Sequence, residues 1–208
     1  MKTIVWDVDD VLNDLMRTWF ERWWVPSHPE CPIGYHQISE NPPHRLLGVS
    51  KLEYLASLDE FRLSDIAGQM RPVPEVLAWF RQYGDRFRHI ALTATPLRTA
   101  PASAAWVMRY FGRWIRSFHV IPSPRESERI PIYDQSKEDF LRWWGKGDIL
   151  VDDDSLNVTA ARTLGIQVVL IPRPWNQSQM TLAEALAVLT SLTLQASPPS
   201  GNRGGVLS

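Results

Sequence analysis

The sequence is short of cysteine. Cys31 is the only one in 208 residues, which excludes a disulfide scaffold or a zinc site built on cysteine thiolates. It also lacks an excess of charge of either sign. The 22 Lys and Arg stand against 23 Asp and Glu, so there is no global basic field to hold a nucleic-acid polymer. No apolar run approaches the roughly 18 residues that mark a transmembrane helix. The apolar start Thr3-Ile4-Val5-Trp6 runs directly into Asp7, Asp9 and Asp10, acids that a signal-peptide core does not carry. Together these absences predict a cytoplasmic protein with no membrane partner and no polymeric nucleic-acid partner. What is abundant is tryptophan, with ten residues in a chain that is 44% hydrophobic and 22% charged. That balance is globular, and the length fits one domain or one domain with a small insert.

The chain changes character twice. Residues 3–6 read as a buried strand that ends abruptly in acids. From Leu12 onward, Leu15, Met16, Trp19, Phe20, Trp23 and Trp24 recur at helical spacing. A stretch rich in Pro, Gly and His follows, with Pro42-Pro43 as a helix breaker. Ser50 then opens a helix over 50–58, with Glu53 at capping-box spacing. No period-2 strand is expected between residues 14 and 70, so 14–71 reads as a small helical insert. After Arg71 the pattern alternates. Helices are predicted over 74–83, 102–111, 137–144, 155–164 and 181–192, and strands over 89–93, 118–121, 148–151 and 167–171. Such alternation predicts an α/β fold: a Rossmann-like parallel sheet of about five strands flanked by helices. The core takes in 1–13 and 72–194. Residues 195–208, rich in Ser, Pro and Gly, are predicted to be a disordered tail.

Three polar clusters directly follow apolar strands: Asp7-Val8-Asp9-Asp10, Thr93-Ala94-Thr95 and Asp152-Asp153-Asp154. In a parallel α/β sheet the carboxyl ends of the strands share one edge, where ligands bind. The clusters are therefore expected to converge. Carboxylates crowded in this way repel one another unless a cation intervenes. An oxygen-only donor set favours Mg²⁺ over zinc. Taken singly, each cluster says little. A D-x-D pair also binds metal in glycosyltransferases and decorates surface turns, and a threonine at a strand end is commonly a cap. The five histidines, at 28, 36, 44, 89 and 119, show no ligand spacing. Between Arg71 and Arg129 ten arginines face four acids. This is either a solvated surface or a field that steers an anionic substrate, and Arg98 is the best placed to touch one.

The joint pattern resembles the haloacid dehalogenase-like (HAD) phosphatases. Val5-Trp6-Asp7-Val8-Asp9-Asp10-Val11-Leu12 is similar to their first motif, Ile90-Ala91-Leu92-Thr93 to the second, Lys137 to the third, and Leu150-Val151-Asp152-Asp153 with Asn157 to the fourth. The likeness covers residues 1–13 and 72–176, with all four motifs in order. Thr93-Ala94-Thr95-Pro96, the run from Ala105 to Gly112 (AWVMRYFG) and the segment from Ile171 to Asn176 (IPRPWN) most resemble the 5′(3′)-deoxyribonucleotidase branch. Asp10 stands where that family usually has glycine, Ala94 where the branch has serine, and Ser103 near where some members have lysine. The resemblance implies Asp7 as nucleophile and Asp9 as acid/base. Thr93, Ala94 and Lys137 would bind phosphate. Mg²⁺ would be held by Asp7, the Asp9 backbone carbonyl and Asp153, with Asp152 and Asn157 behind it. It also implies a helical cap in the insert, where Trp19 and Trp23 could wall a substrate site together with Arg98, Trp175 and Asn176. The expected reaction is hydrolysis of a small phosphomonoester, with a (deoxy)nucleoside monophosphate as the favoured substrate class and a non-nucleotide metabolite of a specialised pathway as the alternative. A non-catalytic phosphate-binding protein and a receiver-like signalling module are the rivals. The receiver requires its Lys and acidic pair in a different chain order, and the intact Asp7 and Asp9 argue against a non-catalytic role.

Overall fold

The computed structural model describes residues 1–125 and 129–194; the expected tail, 195–208, lies outside the described residues. Five strands, β1 (Thr3–Trp6), β2 (Arg88–Thr95), β3 (Ile115–Pro122), β4 (Ile149–Asp152) and β5 (Gln167–Leu170), form one sheet in the order β3-β2-β1-β4-β5. Every pairing is parallel, as the alternating pattern predicts. The first helical run after β1 begins as α1 (Leu15–Trp19), widens into a π-helical turn (Phe20–Trp24) and ends as α2 (Val25–Ser27). Next come α3 (Lys51–Arg62) and α4 (Asp65–Gly68), and then the sheet-flanking helices α5 (Pro74–Tyr83), α6 (Ala100–Phe111), α7 (Lys137–Trp144), α8 (Ser155–Thr163) and α9 (Leu182–Leu194). No helix among the described residues is long and apolar enough to cross a membrane.

Strand periodicity divides the core between two faces. Ile4, Trp6, Ala91, Ile149 and Val151 point into one cluster, together with Val76, Trp79 and Phe80 of α5, Val107 and Phe111 of α6, and Leu189 of α9. Val5, Ile90, Leu92 and Leu150 point the other way, against Phe140 and Leu141 of α7 and Ala161 of α8. Strands β1 and β4 are therefore buried on both sides, which is why they read as continuous apolar runs. Residues 14–71 contribute no strand and build their own aromatic cluster from Leu15, Met16, Trp19, Phe20, Trp24, Tyr35, Tyr54, Leu58 and Phe61.

Several boundaries differ from the sequence reading. Helix α3 runs to Arg62, one turn past the expected end at Leu58, because Phe61 is part of the buried cluster. Strand β3 is eight residues long, where four were expected. Gly145 and Gly165 do adopt the left-handed conformation expected at helix stops, with φ of +63° and +75°. Gly84 does not, at φ −57°. It is needed for space: a Cβ there would lie 2.8 Å from Cδ1 of Trp114.

Candidate active site

The strand order reverses on either side of β1, and the crevice at such a switch point is where α/β sheets bind ligands. Asp7 follows β1 there, with its backbone N–H donated to the Val151 carbonyl of β4 at 2.9 Å. Asp7 Oδ1 accepts the Val8 N–H at 2.7 Å, and Asp7 Oδ2 lies 2.7 Å from Lys137 Nζ. The same ammonium lies 2.7 Å from Asp152 Oδ2. Lys137 is buried at the first turn of α7, whose start is fixed by Ser136 accepting the Asp139 N–H. Burial, and then the Asp152 and Asp7 carboxylates, set the Lys137 ammonium: burial alone favours the neutral form, but the carboxylates outweigh it and raise its pKa.

Oxygens of Asp7, Asp152 and Asp153 can all lie within 4.8 Å of one another, and all three residues are buried. Burial pushes the Asp7 carboxyl well up, Lys137 opposes that, and Asp152 and Asp153 add to it. Asp153 is likewise pushed up by burial and then by Asp10 and Asp152. Fully ionised, the three carboxylates would exceed the single Lys137 ammonium by two charges, which a divalent cation would balance. No histidine or cysteine joins the cluster, so the donors suit a hard ion. Asp152 is the least available of the three. Its oxygens already accept Lys137 Nζ, the Asp154 N–H and Asn157 Nδ2.

Asp9 sits across the pocket from this cluster. Its Oδ1 accepts Asn13 Nδ2 at 3.3 Å and its Oδ2 accepts Arg62 Nη2 at 3.1 Å. Asp10 takes a left-handed φ of +60°, which explains why glycine suits this position; aspartate tolerates the conformation better than most residues. Its carboxylate accepts the Met16 N–H of α1 at 3.0 Å and its carbonyl accepts Arg173 Nε at 2.7 Å. Burial raises the Asp10 carboxyl to about 7, against the pull of Arg173. Asp154 caps α8 by accepting the Leu156 N–H. Thr93, at the carboxyl end of β2, and Ala94 line the pocket.

The pocket has a volume of about 410 Å³ and brings together Asp7, Asp9, Thr93, Ala94, Lys137, Asp153 and Asn157. Its outer walls come from the insert and the loop after β3, including Lys51, Leu55, Leu58, Arg62 and Arg125. The expected aromatic wall is elsewhere. Trp19 is fully buried, with its Nε1 donated to Ser57 and its ring edge-on to Tyr54; it fills the insert's core. Trp23 packs edge-on to Phe61. Trp175 and Asn176 brace Asp153 from behind. Trp175 Nε1 donates to Asp153 Oδ2 at 2.8 Å, and Asn176 Nδ2 donates to the Asp153 and Ile171 carbonyls. Arg98 reaches Asp59, at 3.0 Å.

Asp59, Arg62 and Arg125 escaped the sequence reading. Asp59 is fully buried and meets Arg62, Arg98 and Arg125. Ending α3 at Leu58 left Asp59 and Arg62 outside any element. Their i, i+3 spacing, which would have flagged a pair on one helix face, therefore went unread.

The sequence matches no established family model and no curated protein. The backbone, however, is similar to several solved structures. A haloacid dehalogenase-like family hydrolase from Streptococcus pneumoniae aligns with a TM-score of 0.61 and 13% identity, over 92% of this chain and 98% of that one. A provisionally named beta-phosphoglucomutase from Thermotoga maritima aligns at 0.54 with 19% identity, over 92% and 99%. A HAD-superfamily hydrolase of subfamily IA from Geobacter sulfurreducens aligns at 0.52 with 14% identity, over 92% and 96%. The structural neighbours thus include HAD-like hydrolases, and the chain has their Rossmann-type α/β fold.

Proposed function

We propose that the protein is a Mg²⁺-dependent phosphatase that hydrolyses a small phosphomonoester through an aspartyl-phosphate. One observation carries this reading: Asp7, at the end of the central strand, shares a buried pocket with Lys137, Asp153 and a second carboxylate, Asp9. Asp7 is the nucleophile; the backbone N–H of Val8 and the Lys137 ammonium aim its carboxylate. As the Asp7 oxygen bonds to phosphorus, the bond from phosphorus to the leaving oxygen breaks and Asp9 supplies that oxygen with a proton. In the second half Asp9 takes a proton from water, which attacks phosphorus and returns Asp7. Thr93, Ala94 and Lys137 hold the phosphoryl oxygens, where charge needs stabilising. Asp7, Asp153 and the Asp9 carbonyl would hold Mg²⁺, which when bound supplies neutralising charge to the phosphoryl group, and Asp152 and Asn157 orient the ligands. Residues 14–71 act as the cap that closes the pocket.

We infer that the substrate is a non-nucleotide metabolite phosphate, because the insert walls the pocket mainly with Lys51, Leu55, Leu58 and Arg62, with Tyr54 as the one aromatic among the described lining residues, while Trp19 and Trp24 lie in the insert's core. A nucleoside monophosphate is the second reading, supported by the resemblance of the Ala105–Gly112 run to the nucleotidase branch. The test is phosphate release from p-nitrophenyl phosphate with Mg²⁺ or EDTA, for wild type and Asp7→Asn. Activity that needs Mg²⁺ and vanishes in the variant is the expected result. An inert wild type, or full rate in Asp7→Asn, refutes the catalytic reading, and a preference for nucleotides across a phosphomonoester panel refutes the substrate assignment alone.

A further inference from the structure

Asp9 is held from two sides that come from different parts of the chain. Asn13 reaches one carboxylate oxygen from the turn after β1, and Arg62 reaches the other from the end of α3 in the insert. Arg62 is itself held. Its Nη1 donates to Asp59 Oδ1 at 3.2 Å, one helical turn back on α3. Asp59 is then clamped by the sheet side of the molecule. Arg125, beyond β3, makes a bidentate pair with it through Nε at 2.7 Å and Nη2 at 3.0 Å, and Arg98, beyond β2, donates at 3.0 Å. Arg125 is fixed in turn by the Ser123 carbonyl and hydroxyl and the Pro124 carbonyl. The chain of contacts runs from β2 and β3 into the insert and back to the end of β1.

We propose that Arg62 is a positioning residue for Asp9, and that Asp59, locked by Arg98 and Arg125, aims Arg62, so that Asp9 is correctly oriented only when the insert is seated on the sheet. This rests on the acid/base role proposed above for Asp9. The residue type fits the task. A guanidinium is a rigid planar fork that can join two carboxylates at once, which an ammonium on a flexible stem does less well. A link that needs groups from the insert and from two strand ends is broken when either moves. Proton delivery is thereby tied to closure, as when a lid completes a catalytic constellation.

The test compares two leaving groups. p-Nitrophenolate departs without a proton, whereas the alkoxide of glycerol 2-phosphate needs one. Wild type, Arg62→Met, Arg62→Lys and Arg98→Gln are assayed as full chains with Mg²⁺, with melting curves to establish that each is folded. Arg62→Met is expected to lose kcat/KM, which reports the steps up to leaving-group departure and not the shared hydrolysis of the aspartyl-phosphate, by about 10- to 100-fold more on glycerol 2-phosphate than on p-nitrophenyl phosphate, within the range that a general acid contributes. Arg62→Lys, which keeps the charge but replaces the two nitrogens that reach Asp59 and Asp9 with one on a flexible stem, is expected to lie between wild type and Arg62→Met. Arg98→Gln, which removes one of the three guanidinium contacts on Asp59, is expected to show the same selectivity, but weaker. Equal losses on both substrates in the folded variants, or no loss, overturn the proposal, because a merely structural ion pair has no reason to discriminate leaving groups. If Arg62→Met does not fold, Arg62→Lys carries the same comparison. A wild type inert on both substrates overturns the phosphatase reading instead.

Discussion

Replacing Asp153 with asparagine is expected to stabilise the metal-free protein while abolishing its response to Mg²⁺. Asp153 stands among Asp7 and Asp152, with donor oxygens within 4.8 Å, and Lys137 contacts the other two but not Asp153. Two unit charges at that spacing and an effective dielectric near 20 repel by roughly 3 kcal/mol. Partial protonation relieves some of this, since burial, Asp10 and Asp152 raise the Asp153 carboxyl. A net gain on the order of 2 kcal/mol in EDTA is reasonable, or about 4–8 °C in melting temperature for a chain of this size. The sign in pH follows from the raised carboxyl: the wild type loses stability as pH rises through the folded-state pKa, so the variant's advantage is larger at pH 8 than at pH 5. Asparagine keeps an oxygen for Trp175 Nε1, so the contact behind the site survives. Wild type with Mg²⁺ at about a hundred times its Kd should gain roughly 2.7 kcal/mol by mass action, and the variant should gain almost nothing. Differential scanning fluorimetry of both proteins in EDTA and in a Mg²⁺ series measures all of this. A variant that melts below wild type in EDTA, or that keeps the full Mg²⁺ shift, refutes the argument that these carboxylates are a cation site strained without its ion.

Two other outcomes test the packing that supports the site. His89 lies between Trp6, whose Nε1 donates to His89 Nδ1 at 3.0 Å, and the Gly84 carbonyl, 2.9 Å from Nε2; burial lowers its pKa from 6.5 to about 4. Its contribution to stability is present above pH 6.5 and is lost as pH falls towards 4, a change of about 3 kcal/mol at 1.36 kcal/mol per unit. Urea titrations from pH 7.5 to 4.5 should show that slope flattened in His89→Gln, and an unchanged slope would sink the assignment. Trp19→Ala should cost about 3–5 kcal/mol, as large aromatic truncations in a core do, while leaving KM for p-nitrophenyl phosphate unchanged in protein assayed below its melting point. A raised KM with unchanged stability would return Trp19 to the pocket wall.

The parallel sheet was legible because apolar runs alternate with helical ones, and because β1 and β4 are buried throughout and break off into acids, as Val5-Trp6-Asp7 and Leu150-Val151-Asp152 do. The half of the pocket that holds Asp7, Thr93 and Asp153 was legible for the same reason: these residues lie at or just past strand ends, so chain order maps onto position in space. Lys137 could be placed because it lies ahead of β4 where the resemblance puts a lysine, and the structure adds the Ser136 cap that fixes the start of its helix. The other half resisted because nothing local fixes it. Whether an insert tryptophan faces substrate or core depends on how α1, the π-helical turn and α3 pack together. The widened turn at Phe20–Trp24 also shifts the helical phase on which a face assignment depends. Asp59 is the sharpest case. In the sequence it is one of many acids, and its meaning lies in Arg98 and Arg125, 39 and 66 residues away. A buried carboxylate held by three arginines is costly to desolvate and contributes little net stability compared with an apolar replacement. Its presence at the junction of insert and sheet is therefore better explained by what it aims, the Arg62 guanidinium and through it Asp9, than by what it holds together.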